Sequence, residues 1–307
     1  MLDLGAREPS GGVGEAREVL SGGRPSVESL AGRLDSVDPR RVVSLCPSIT
    51  ETLVAIGGLS RLVAATRYCV RPQGLLWGLP RIGGTKNPDV ARIKDLAPDL
   101  VFANREENRR EDVEELRAAG IEVDVSFPRK VAEVPEAIRG WGRRLGEERA
   151  ADALASRIET ELAALARERP AGAFLYAYWI WRNPWMTVSG DTYVSDLLAL
   201  AGGVNVFAGE ADRYPVARPE ESLALGAGIH FFPSEPYPFR EEKHGREVAE
   251  IFGEAPRRLF VAGDDLSWHG FRTLEGLSAV KKLRVYAEEL PSPAGSAGPG
   301  TLRAPAG

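Results

Sequence analysis

Cysteine is nearly missing from this chain. Cys46 and Cys69 are the two present in 307 residues, too few for a disulfide scaffold or an all-cysteine zinc site, and whether they pair stays open. No apolar stretch approaches the roughly 18 residues of a spanning helix, which excludes membrane insertion. Positive charge is not in excess either: 39 Lys and Arg stand against 44 Asp and Glu, for a net charge of −5. The basic residues are scattered through acidic runs such as residues 106–115, so no stripe is left to follow a nucleic-acid backbone. The first forty residues lack a basic start followed by an apolar run, and no secretory signal is readable. On that absence the chain is expected in the cytoplasm; a start upstream of Met1 would make it periplasmic or extracytoplasmic. The common catalytic signatures G-x-S-x-G, H-E-x-x-H and G-x-x-x-x-G-K-[ST] are absent too. Gly226-Ala227-Gly228 lacks the third glycine of a dinucleotide fingerprint and precedes a strand rather than a helix.

What is present is an ordinary globular composition, 43% hydrophobic and 27% charged, long enough for two lobes. Glycine and charge dominate residues 1–39, and Pro, Gly, Ala and Ser dominate 291–307, so both ends are expected to be disordered tails. Between them, strands and helices alternate. Strands are expected at 41–45, 62–65, 100–103 and 121–125. Helices follow from Ser48 (with Ser48-Ile49-Thr50-Glu51 read as a capping box), at 88–96 and at 109–119. In residues 147–168 the apolar positions Leu154, Ile158, Leu162 and Leu165 recur every three or four residues, the pattern of one long helix. A second alternation then runs through strands at 174–178, 229–232 and 259–261 and helices at 193–201, 242–252 and from Phe271. The expected fold is α/β: two Rossmann-like lobes with mainly parallel sheets, at 40–130 and 170–290, joined through a helical linker at 131–169 that contains the long rigid helix. A stiff linker implies small closure around a bulky, flat ligand.

Aromatic side chains mark the candidate site. Trp179, Trp181 and Trp185 run past a strand end into a loop, with Tyr193 and Trp268 further on and Tyr68 in the first lobe, an arrangement suited to covering a flat ligand. The segment from Gly263 to Arg272 lies between a strand and a helix, where open α/β sheets bind ligands. There Asp264 and Asp265 could accept hydrogen bonds from ligand amides, Arg272 stands close by, and His269 could coordinate a metal or cap the helix. Tyr237 sits in a proline-rich rim at 233–239. The best catalytic alternative would be Asp264, Ser267 and His269, whose closeness in sequence does not make a triad.

Four runs carry a family resemblance: residues 41–51 (RVVSLCPSITE), 66–69 (TRYC), 82–89 (IGGTKNPD) and 96–101 (LAPDLV). The second lobe adds 188–193 (VSGDTY), 201–207 (AGGVNVF) and 214–216 (YPV). Together, over about residues 41–285, they resemble the cobalamin-binding substrate-binding proteins of ABC importers, in the helical-backbone metal receptor superfamily, whose members bind corrinoids, haem or iron siderophores. The resemblance implies a rigid two-lobed, periplasmic-binding-protein-like fold, a corrinoid as bound ligand and no catalytic cofactor. It also implies an acidic residue on each lobe for docking to an ABC permease. Glu220 fits in the second lobe, but the first-lobe position corresponds to Ala91. With no readable signal, the expectation is a cytosolic corrinoid carrier, salvage or sensing protein; the alternative is an importer subunit for a corrinoid, haem or iron siderophore.

Overall fold

The structure, a computed structural model, describes residues 41–168, 170 and 172–288. The tails expected at 1–39 and 291–307 lie outside the described residues.

The first lobe is built from β1 (Val42–Ser44), α1 (Pro47–Ala55), β2 (Leu62–Ala65), α2 (Val90–Asp95), β3 (Leu100–Asn104), α3 (Arg110–Ala118) and β4 (Glu122–Ser126). Its four strands lie parallel in the order β2-β1-β3-β4. One local expectation fails here. α1 starts at Pro47 in the N1 position, and its N-cap is Cys46, with no side-chain capping bond. Proline has no N–H to satisfy at N1 and its fixed φ suits a first turn, so the start needs no capping box.

The lobes are joined by α4 (Val134–Leu145) and α5 (Glu148–Arg167). Gly146, left-handed at φ 66°, ends α4. The chain then reverses so that the two helices pack closely, and a Cβ on Gly142 would come 2.3 Å from that of Ala151. The long helix is therefore half of a helical hairpin, about 30 Å of it in α5.

The second lobe follows as β5 (Phe174–Tyr178), α6 (Tyr193–Ala199), β6 (Gly203–Asn205), α7 (Pro219–Ala224), β7 (Ile229–Pro233), α8 (Glu241–Phe252), β8 (Arg257–Val261), α9 (Gly263–Ser267) and α10 (Thr273–Glu288). Its strands are again parallel, in the order β6-β5-β7-β8. The inner faces of both sheets close on α4 and α5 in one apolar core that includes Ile49, Leu53, Phe102, Ile138, Trp141, Ile158, Tyr178 and Phe231. Each sheet carries a separate core on its outer face.

Candidate functional site

Parallel strands bring their carboxyl ends to one edge of a sheet, and here the loops leaving those edges meet those of the other lobe. Arg71, after β2, pairs with Asp264 after β8 at 2.7 Å. Arg272 reaches Glu51 on α1 at 2.9 and 3.2 Å, and the Phe271 amide donates to Thr52 Oγ1 at 2.9 Å. At the other end of the sheets Glu106 Oε1 accepts from Arg213 at 2.8 and 3.2 Å and from the Tyr214 hydroxyl at 2.5 Å. Arg129 meets Asp191 at 3.2 Å. The order β2-β1-β3-β4 thus faces β8-β7-β5-β6, with cross-lobe links at both ends and Asn104, at the end of β3, bonded to His269. Cavities of about 470 and 300 Å³ lie elsewhere, the first lined by Leu59, Val63, Leu75 and Trp77 and the second by Phe127, Glu133 and Trp141.

The structure sorts the sequence candidates into three groups. The first belongs to the core and is corrected. Trp179 is fully buried, donates from Nε1 to His230 Nδ1 at 3.1 Å and packs against Phe207 and Phe252. Strand alternation accounts for this, since Tyr178 and Trp179 must point to opposite faces of β5. Trp185 stacks on Phe239 with centroids 5.9 Å apart, within the same outer core. Tyr193 is buried with its hydroxyl on Thr273 at 2.9 Å, and burial raises its pKa.

The second group ties the lobes together. Asp264 is held by Arg71, and Asp265 by Arg272 at 2.5 Å. Glu51, read above as part of a capping box, is the cross-lobe partner of Arg272. His269 is buried and neutral, its pKa held down at about 4 by desolvation. Asn104 Oδ1 already accepts from the amides of Glu106 and Glu107, so Asn104 Nδ2 is the donor and His269 Nε2 accepts at 3.1 Å. That engages Nε2, while the buried Nδ1 has no hydrogen-bond partner among the described residues; His269 makes no side-chain capping bond, so its expected capping role is corrected. Among the described residues no cluster of His, Cys, Asp and Glu could hold a metal. The catalytic alternative also falls apart. Ser267 Oγ donates to the Gly263 carbonyl at 2.8 Å, Asp264 is taken by Arg71 and His269 by Asn104. Cys46 and Cys69 are free and buried, and burial pushes the Cys46 thiol up to about 12.

The third group remains open to a ligand. Trp181 is 41% exposed and meets Tyr237 edge-to-face at 5.5 Å. Tyr68 is 49% exposed beneath the Arg67 guanidinium at 4.9 Å. Trp268 is half-buried and hydrogen-bonded to Glu235. Glu220 stands exposed in the first turn of α7, and Ala91 is exposed on α2.

Sequence reasoning missed Glu107 and Glu235. Glu107 is accessible to solvent, yet surrounding protein raises its pKa by desolvation. Glu235 is raised to about 7, first by desolvation and then by Asp264. Its place in the proline-rich rim was the one available signal.

Residues 42–229 match the sequence profile of the family described as periplasmic binding protein. The chain belongs to that family. Membership overturns the cytoplasmic expectation, because the family is extracytoplasmic and the reading had rested on an absent signal alone. The chain is 29% identical to the vitamin B12-binding proteins of Photorhabdus laumondii subsp. laumondii and Yersinia pestis (strain Pestoides F), over 60% of its own length. The match spans 67% and 65% of those relatives. Its fold is that of the periplasmic vitamin B12 binding protein BtuF of Vibrio cholerae (TM-score 0.71, 22% identity, 82% of this chain and 99% of that one). The periplasmic haem-binding protein RhuT from Roseiflexus sp. RS-1 shares it (0.71, 24%, 81% and 98%).

Proposed function

We propose that this chain is a non-enzymatic, ligand-binding subunit of an importer, and that it captures a corrinoid between its lobes. The observation that carries this reading is the pair of open aromatic platforms on opposite lobes, Tyr68 under Arg67 and Trp181 against Tyr237, with Trp268 half-buried and Trp179, Trp185 and Tyr193 committed to the core. Flat apolar rings suit the face of a macrocycle, and polar groups around them suit its periphery. The names of the vitamin B12-binding relatives support the choice of ligand. The exposed Glu220 is the proposed docking contact for an ABC permease, and the first-lobe contact must come from a residue other than Ala91. A large ligand enters by parting the cross-lobe links at Glu106, Arg213 and Tyr214.

The test is a calorimetric titration of the purified chain with cyanocobalamin and cobinamide. One-to-one binding at micromolar Kd or tighter is expected; no binding of either by folded protein refutes the proposal. Trp181→Ala should then weaken binding about 30-fold, because roughly 80 Å² of exposed ring covered by ligand is worth ~2 kcal/mol. Its stability should not change measurably.

A further inference from the structure

The first lobe leaves apolar surface uncovered in one loop. Six large apolar side chains among the described residues stay more than half exposed, and three of them, Val70, Leu75 and Trp77, stand within eight residues of one another. Trp77, at 87%, is the most exposed of all. The loop is held at its base, where Arg81 donates to the carbonyls of Thr66, Cys69 and Leu76 at 3.1, 2.8 and 3.2 Å and so cinches residues 70–75 into a projection. Its turns at Gly74 and Gly78 are left-handed, and a Cβ on either would meet nothing within 4 Å. The cavity of about 470 Å³ lies between Leu75 and Trp77 on this loop and Val63 on β2, an edge strand of the sheet. Together the three side chains expose roughly 400 Å², a size at which apolar surface on a monomer commonly has a use.

Charge says what covers it. Residues 52–88 contain no Asp or Glu but five basic residues, in a chain where acidic residues number 44 of 307. Carboxylates from outside the segment hold two of the five: Glu147 meets Arg61 at 3.3 Å and Asp264 meets Arg71 at 2.7 Å. Lys86 donates to the Glu106 carbonyl and lies beside Glu107. Arg67, over the Tyr68 ring, and Arg81, spent on its three carbonyls, have no carboxylate partner among the described residues. On the α2 side of the cavity Arg41, Arg92 and Lys94 stand with Asp89, Asp95, Asp99 and Glu115, so charge is mixed there and the positive excess belongs to the loop. A second copy of the chain would set that excess against itself, whereas an anionic bilayer complements it.

We propose that the loop at 70–77 is a membrane-surface contact, in which Val70, Leu75 and Trp77 enter the headgroup region of an anionic phospholipid bilayer and Arg67 and Arg81 attract its phosphates. An amphipathic indole flanked by aliphatic and basic side chains is the composition that settles at such an interface. No helix among the described residues is long and apolar enough to cross a membrane, so the contact is peripheral and reversible. Arg71, inside the same loop, pairs with Asp264 of the other lobe, so the contact lays one end of the inter-lobe seam against the bilayer. It holds whichever ligand the protein takes.

The experiment is flotation of the full chain with vesicles of POPC alone and of POPC and POPG in equal parts. The wild type, Trp77→Ala and Leu75→Ser are compared, with sedimentation velocity in the absence of lipid. About half of the wild type should float with POPG vesicles at about 1 mM lipid in low salt. Binding should fall about tenfold with POPC alone, and about tenfold again for Trp77→Ala or when salt screens the charges. The emission of Trp77, isolated by difference from Trp77→Phe, should move to the blue on adding POPG. Unfolding midpoints should not change, because these side chains are exposed. The proposal is overturned if folded wild type stays free of POPG vesicles, or if both variants float as well as it does. A dimer in the absence of lipid that Trp77→Ala abolishes would overturn it in favour of a contact between two copies. Trp77 emission that is already blue in the lipid-free monomer would overturn it in favour of cover by other residues of the same chain.

Discussion

The two lobes have the same four-stranded parallel topology but fill the outer faces of their sheets differently. In the first lobe that face is aliphatic: Val43, Leu45, Ala64, Ile82, Ile93, Val101, Val113, Leu116 and Val123. In the second it is aromatic, with Trp179, Phe207, Phe232, Phe239 and Phe252 packed together and Trp185, Tyr237 and Phe260 at the margin. Helices cover the first face, whereas in the second α8, through Val248, Ile251 and Phe252, shares the cover with the loops at 179–186 and 234–240. Rings of 150–250 Å² let a few loop residues cover that area. The density of aromatics in this sequence is thus first a property of one core and only secondarily of a binding surface. Trp181 stays exposed, edge-on to Tyr237, where that core ends.

This comparison predicts unequal costs of truncation. Trp179→Ala removes a buried ring and leaves His230 without its donor, and should cost about 4 kcal/mol in chemical denaturation, whereas Ile93→Val in the aliphatic face should cost about 1 kcal/mol. Equal costs would mean that the aromatic core is loosely packed and free to serve a ligand.

The next largest effect concerns what joins the unlike lobes. The Arg272 side chain is 11% exposed and that of Glu51 is 5%. Arg272→Met should cost about 3 kcal/mol by stranding a buried carboxylate, and adding Glu51→Gln should restore most of it. Separate unfolding transitions of the two lobes in the single variant would show that this pair makes them cooperate; an unchanged single transition would assign that role to the shared inner core.

Acid should act through two histidines of the second lobe, each more gently. Burial holds both His230 and His269 down at about 4, from an ordinary 6.5. Between those values the unfolded chain binds more protons than the folded one, so this stability is complete above pH 6.5 and is lost as pH falls toward 4. By pH 5 the loss should be about 2 kcal/mol for each histidine, read from denaturation midpoints across pH. Glu235 has the opposite sign: raised to about 7, it contributes stability below its ordinary value that is lost as pH rises through 7. Because that loss accrues between its ordinary 4.5 and about 7, Glu235→Gln should steepen the rise of stability across pH 4.5–7 and leave the limb above pH 7 unchanged.

Much of the fold was legible before the structure. The strand at Phe174–Tyr178 lies where alternation placed it, and the helices at Arg110–Ala118 and Glu241–Phe252 begin and end within a residue or so of expectation. The three-residue β6 and the six-residue α7 were missed because so few residues carry no periodicity. α4 lies inside the helical linker expected at 131–169 but was not read as a helix of its own, although Ile138, Trp141 and Leu145 mark its buried face. The site was less legible. Trp179 reads as a loop aromatic until strand parity is applied to it, and Glu51 matches a helix cap until its partner is known.

The sequence by itself determined most of the alternation of strands and helices, and the parallel pairing that follows from it. Those features depend on backbone bonds and conformational limits within a few residues. Tertiary structure alone decided which rings enter a core and which face the cleft. It also set Arg272 against Glu51 at a sequence separation of 221. Burial and electrostatic partnership are properties of the space between elements, set by how two lobes pack around one helical hairpin, and no local pattern encodes that.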